Sequence, residues 1–74
     1  MTPTQSRMAR AALKIGVIEV AKAAKVSTNT ITRFEAGETL RERTVDDLRR
    51  AYEARGVQFV SQGDTADGSG VVLR

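Results

Sequence analysis

Thr28, Asn29, Thr32 and Arg33 are the residues of this chain whose types and spacing best suit chemistry on a ligand. On a helix they share one side, which gathers two hydroxyls, an amide and a guanidinium. Such a set makes reversible hydrogen bonds. An asparagine amide matches the paired acceptor and donor of adenine, an arginine fork matches guanine or a phosphate, and threonine's short stem permits close approach. These four residues are the candidates for contact with base edges in duplex DNA. Arg7, Lys22, Lys25, Arg41 and Arg43, with the Ser27 hydroxyl, are candidates for phosphate contacts, although Ser27 suits a helix cap better than a base contact.

Other chemistries have less support. Glu19, Glu35, Glu38, Glu42, Asp46, Asp47 and Glu53 supply carboxylates, but their spacing singles out no acid–base pair. Cysteine and histidine are absent, which removes disulfides, thiolate and imidazole chemistry and the usual zinc ligands. The stretch GDTADGSG reads as a strand connector rather than a phosphate cradle. The expectation is a non-enzymatic protein with no cofactor and no metal. No stretch approaches the roughly 18 apolar residues that span a bilayer, so a cytoplasmic protein without a membrane partner is expected.

With 74 residues, 41% of them hydrophobic, the chain can form one small core, and pairing with a second chain would bury more apolar area. The net charge is +3, unevenly distributed. Up to Arg33 the cations Arg7, Arg10, Lys14, Lys22, Lys25 and Arg33 face only Glu19 as an acid. Beyond Arg55, Asp64 and Asp67 outweigh Arg74. A polyanion is drawn to the first half.

The positioning elements follow from periodicity and caps. Thr2-Pro3-Thr4-Gln5 combines an N-cap hydroxyl, proline at the first helical position and a capping-box glutamine. Met8, Ala12 and Ile15, broadened by Leu13, form the apolar side expected for this first helix. After Gly16, the residues Val17, Val20, Ala21 and Ala24 mark a second helix, whose alanines allow a close crossing. Val26 fits the corner, Ser27 opens a third helix, and Ile31 and Phe34 anchor it so that its other face stays polar. Gly37 is the expected stop. A connector over 39–43 leads to a Thr44/Asp47 capping box and a fourth helix, with Val45, Leu48 and Tyr52 on one face and Ala51 beside them, ending at Gly56. Val57-Gln58-Phe59-Val60 and Val71-Val72-Leu73 read as strands separated by Gly63, Gly68 and Gly70.

The segment VIEVAKAAKVSTNTITRFEAGE resembles the paired second and third helices of the lambda-repressor/Cro-like, or XRE, helix-turn-helix family. GVQFV followed by GVVLR resembles the C-terminal strand extension of its small bacterial members. The likeness is strongest over 7–38. It implies a mainly α, compact four-helix domain over 2–56 with a short C-terminal β-hairpin over 57–74. It also implies a homodimer on an inverted-repeat operator, with Val20, Ala21, Ala24, Val26, Ile31 and Phe34 as structural positions and Thr28, Asn29, Thr32 and Arg33 as recognition positions. Two departures stand out: Val17 replaces a glutamine common at the start of the second helix, and Lys25 occupies a turn position where glycine is common.

Two functions follow as expectations. The leading one is sequence-specific binding of double-stranded DNA and regulation of transcription. The alternative is a protein-binding regulator or antiactivator that captures a transcription factor. The candidate protein interface for pairing or capture comprises Val17, Ile18, Phe59, Val60, Val71, Val72 and Leu73.

Overall fold

The computed structural model describes residues 1–60 and 70–73, so the glycine-bearing connector and Arg74 lie outside the described residues. Four helices, α1 (Pro3–Leu13), α2 (Val17–Ala24), α3 (Thr28–Glu35) and α4 (Glu42–Glu53), precede two short strands, β1 (Val57–Val60) and β2 (Gly70–Leu73). The strands pair antiparallel, with Val57 opposite Leu73 and Val60 opposite Gly70. No helix among the described residues is long and apolar enough to cross a membrane.

The start of α1 follows its sequence signals. The Gln5 N–H donates to Thr2 Oγ1 at 3.1 Å while the Thr2 N–H donates to Gln5 Oε1 at 2.9 Å, closing a capping box ahead of Pro3. At the other end, Lys14 takes a left-handed backbone (φ 57°), and the Ile15 N–H reaches back to the Arg10 carbonyl at 3.1 Å. Lys25 closes α2 in the same way (φ 59°), with the Val26 N–H donating to the Ala21 carbonyl at 3.0 Å. Gly37 (φ 102°) ends α3, and the Glu38 N–H donates to the Arg33 carbonyl at 3.0 Å. Each reversal satisfies carbonyls that the helix leaves open.

The core lies where α2 packs on α3 and α4, α1 packs on α3 and β2, and β1 covers α4. Ala9, Val20, Ala21, Ala24, Ile31, Phe34, Leu48, Tyr52 and Val57 form its buried cluster. The Tyr52 and Phe59 rings meet edge-on, with centroids 5.9 Å apart at 67°, which attaches the strands to α4.

Two expectations need correction. The buried side of α1 is Gln5, Ser6 and Ala9; Leu13 and Ile15 pack against the core as expected, whereas Ala12 is exposed and Met8 is half-buried. Apolar periodicity missed Gln5 and Ser6 because these polar residues find hydrogen-bond partners inside. The fourth helix begins at Glu42, so Glu42 and Arg43 belong to it rather than to a connector, and Arg41 caps through its backbone alone. The Thr44/Asp47 box therefore does not open the helix; Glu42 provides the acidic first turn instead.

Candidate nucleic-acid interface

The α3 helix is held from behind by apolar side chains and fixed at both ends. Ile31 is fully buried and Phe34 nearly so, in contact with the rest of the core. At the N-terminus, Ser27 Oγ accepts from the Thr30 N–H at 3.1 Å and shares a 2.8 Å hydrogen bond with Thr30 Oγ1. Ser27 is thus the N-cap of α3.

The C-terminal turn is fixed by a polar cluster that sequence patterning did not reveal. Glu35 accepts from Arg10 Nε at 2.9 Å, from Arg10 Nη2 at 2.5 Å and from Ser6 Oγ at 2.8 Å. Ser6 Oγ also lies 2.9 Å from Tyr52 Oη, so the hydrogen-bonded chain runs from α4 through α1 to α3. Arg7 donates to the Glu35 main-chain carbonyl and to Thr4 Oγ1. A glutamate in the last turn opposes the helix dipole, and these two arginines offset it. Burial pushes the Glu35 carboxyl up, but hydrogen bonds from Arg10 and Ser6 and the charges of Arg10 and Arg7 hold it below the ordinary range. Burial likewise raises the Tyr52 phenol, with the Ser6 hydrogen bond working in the opposite sense. Spacing gives no hint of this cluster, because its members come from three helices.

With α3 anchored this way, Thr28, Asn29, Thr32 and Arg33 are all exposed on its outer side. Thr32 Oγ1 donates back to the Thr28 carbonyl at 3.1 Å, which leaves its oxygen as an acceptor. Arg33 makes a two-pronged ion pair with Glu38, Nε to Oε2 and Nη2 to Oε1, both at 3.0 Å. Hydrogen bonding and charge in this pair raise the arginine's pKa and hold the Glu38 carboxyl down. Glu35, the nearer carboxylate in sequence, instead points to Arg10.

A cleft of about 510 Å³ lies between the start of α3 and the segment leading into α4. Val26 and Leu40 contribute apolar wall, Ser27, Thr30, Thr39 and Thr44 contribute hydroxyls, and Arg33 and Arg41 contribute positive charge. The Arg41 guanidinium among these hydroxyls suits a phosphate group, whereas the charge of Arg33 is already paired with Glu38. Thr30, Thr39 and Thr44 were absent from the sequence-derived site, since only the fold brings the two segments together. Lys22, Lys25 and Arg43 are exposed outside this cleft, and Arg7 is engaged at the opposite end of α3.

The expected apolar surface is smaller than the sequence suggested. Ile18 is 63% exposed and Val17 half-buried, while Val72 and Leu73 are 48% and 50% exposed. Val60 is buried within the chain, and Phe59 and Val71 are half-buried against the core, so these three are largely spent on the fold. Two short strands must pack on the helices to be stable, and here that packing covers Val60, Phe59 and Val71 while Val72 and Leu73 stay exposed. No protein-family model and no curated protein matches this chain.

Proposed function

We propose that this protein is a sequence-specific, double-stranded DNA-binding transcriptional regulator of the lambda-repressor/Cro-like helix-turn-helix type. One observation carries the reading: α3 turns Ile31 and Phe34 into the core and leaves Thr28, Asn29, Thr32 and Arg33 exposed together. In this reading α3 enters the roughly 12 Å wide major groove, where Asn29 meets adenine and Arg33 meets guanine. Ser27, Lys22, Lys25, Arg41 and Arg43 engage flanking phosphates. The half-exposed Val72 and Leu73 pair two copies on an inverted repeat, with recognition helices about 34 Å apart.

A second reading draws on Ile18, which is exposed at the start of α2 while its neighbour Val17 packs against the core. In this reading the protein captures a transcription factor as an antiactivator. Selection from random or genomic duplexes at controlled salt, with Asn29→Ala and Arg33→Ala alongside, separates the two. An inverted repeat whose preferred bases change with those substitutions supports DNA recognition. Recovery of no duplex, together with a stable complex with an activator, supports capture.

A further inference from the structure

The geometry of Arg33 and Glu38 allows a sharper statement about base choice, resting on the DNA-binding reading above. Glu38 takes the side edge of the guanidinium, formed by Nε and Nη2. The second hydrogen of Nη2 and the neighbouring hydrogen of Nη1 remain, and these two form the end edge of the fork. Two parallel donors at that edge match guanine O6 and N7 in the major groove.

The carboxylate is held in place by more than the ion pair. Gly37 turns the chain back with φ 102°, and the Glu38 N–H donates to the carbonyl of Arg33 itself at 3.0 Å. The backbone at Glu38 is therefore registered against Arg33 before the side chains meet. An exposed ion pair between long side chains ordinarily gains little because both must be ordered. Here the cap fixes the main-chain spacing between the two residues, and both bonds have good length.

A phosphate contact would have no need of this arrangement. Phosphate accepts from either edge of an arginine, and a neighbouring carboxylate would repel it. A guanidinium held at one edge and bare at the other is suited instead to a planar pair of acceptors. We infer that Glu38 is a positioning residue for base readout, holding the side edge of Arg33 so that its end edge selects guanine at one position of the DNA site.

The test uses the full chain and a random-duplex selection at fixed salt, followed by titration of single-base variants of the recovered site. Arg33→Ala identifies the position that Arg33 reads. The wild-type protein is expected to prefer guanine there by about tenfold, within the range of a good two-pronged contact. Glu38→Ala and Glu38→Gln are expected to relax that preference to less than about threefold, with the alanine variant the more relaxed. Both should retain wild-type helicity by circular dichroism, because Glu38 is exposed. Their affinity for non-specific duplex should hold or rise, since a negative charge leaves the DNA-facing surface.

Undiminished guanine preference in both variants overturns the inference. So does a preference for another base at the Arg33 position, or a uniform change in affinity with base preference kept, which would make Glu38 a simple competitor for Arg33. Those outcomes leave DNA binding standing. Enrichment of no duplex by the wild-type protein overturns the DNA-binding reading and this inference together.

Discussion

Replacing Glu35 with alanine tests whether the polar cluster behind α3 is a principal fastening of the fold. The substitution removes two hydrogen bonds from Arg10 and one from Ser6. Hydrogen bonds to a charged group are each worth about 1.5–3 kcal/mol, and removing one partner of a fully buried ion pair costs about 3–5 kcal/mol. The Arg10 side chain is 23% exposed against 8% for Glu35, so the released guanidinium recovers part of its hydration. Ser6 is fully buried, but its hydroxyl can turn to Tyr52 Oη, already 2.9 Å away, and avoid being orphaned. These two reliefs lower the expected loss to about 2–3 kcal/mol. Stability of a domain this size is commonly about 4–11 kcal/mol, so the loss is a large part of the total. Urea unfolding of the wild type, Glu35→Ala, Arg10→Ala and the double variant measures both the loss and the coupling. A coupling below about 0.5 kcal/mol would refute the reasoning, because the pair would then behave like an ordinary surface contact. The same carboxylate sets a pH dependence. Its folded pKa lies below the unfolded value of about 4.3, so its contribution is present above that value and lost as pH falls through the folded pKa. The acid side of the wild-type stability curve should therefore be steeper than that of Glu35→Ala.

Three further outcomes are expected. Gln5 donates through Nε2 to the Val60 carbonyl at 2.8 Å and the Gly70 carbonyl at 3.0 Å, so Gln5→Ala should remove about 2 kcal/mol. Hydrogen exchange should show faster opening at Val71 and Val72 than in α3, and unchanged exchange there would contradict this role. Lys25→Gly relieves a left-handed backbone worth about 1–2 kcal/mol but adds unfolded-chain entropy, for a net gain of up to about 1 kcal/mol. Its melting midpoint should rise while the salt slope of DNA binding falls by about 0.9, if Lys25 meets a phosphate; a lower midpoint would refute the strain argument. The proposed pairing through β2 predicts that the wild type sediments as two copies at micromolar concentration and that Leu73→Asp shifts it toward one; an unchanged mass would refute that pairing surface.

Much of the framework was legible because it depends on neighbours in the chain. The Thr2–Gln5 box, the Ser27 cap and the Gly37 stop are local hydrogen-bonding devices, and each forms as its residue types predict. The placement of Ile31 and Phe34 opposite the polar side of α3 follows from helical period alone. Lys14 was harder to read, since nothing in a lysine announces a left-handed residue. The start of α4 was misread because a plausible Thr44/Asp47 box competed with a backbone-only cap at Arg41.

Sequence by itself determined which residues α3 buries and which it exposes, because that division depends on the type and spacing of residues within a single helix. Only the tertiary structure decided that Gln5 and Ser6 turn inward, that Glu35 joins Arg10, and that Val60 is covered. Those outcomes depend on which polar and apolar groups meet across elements distant in the chain. Burial of a polar side chain is favourable only where its partners already wait, and period or propensity does not record where they will be.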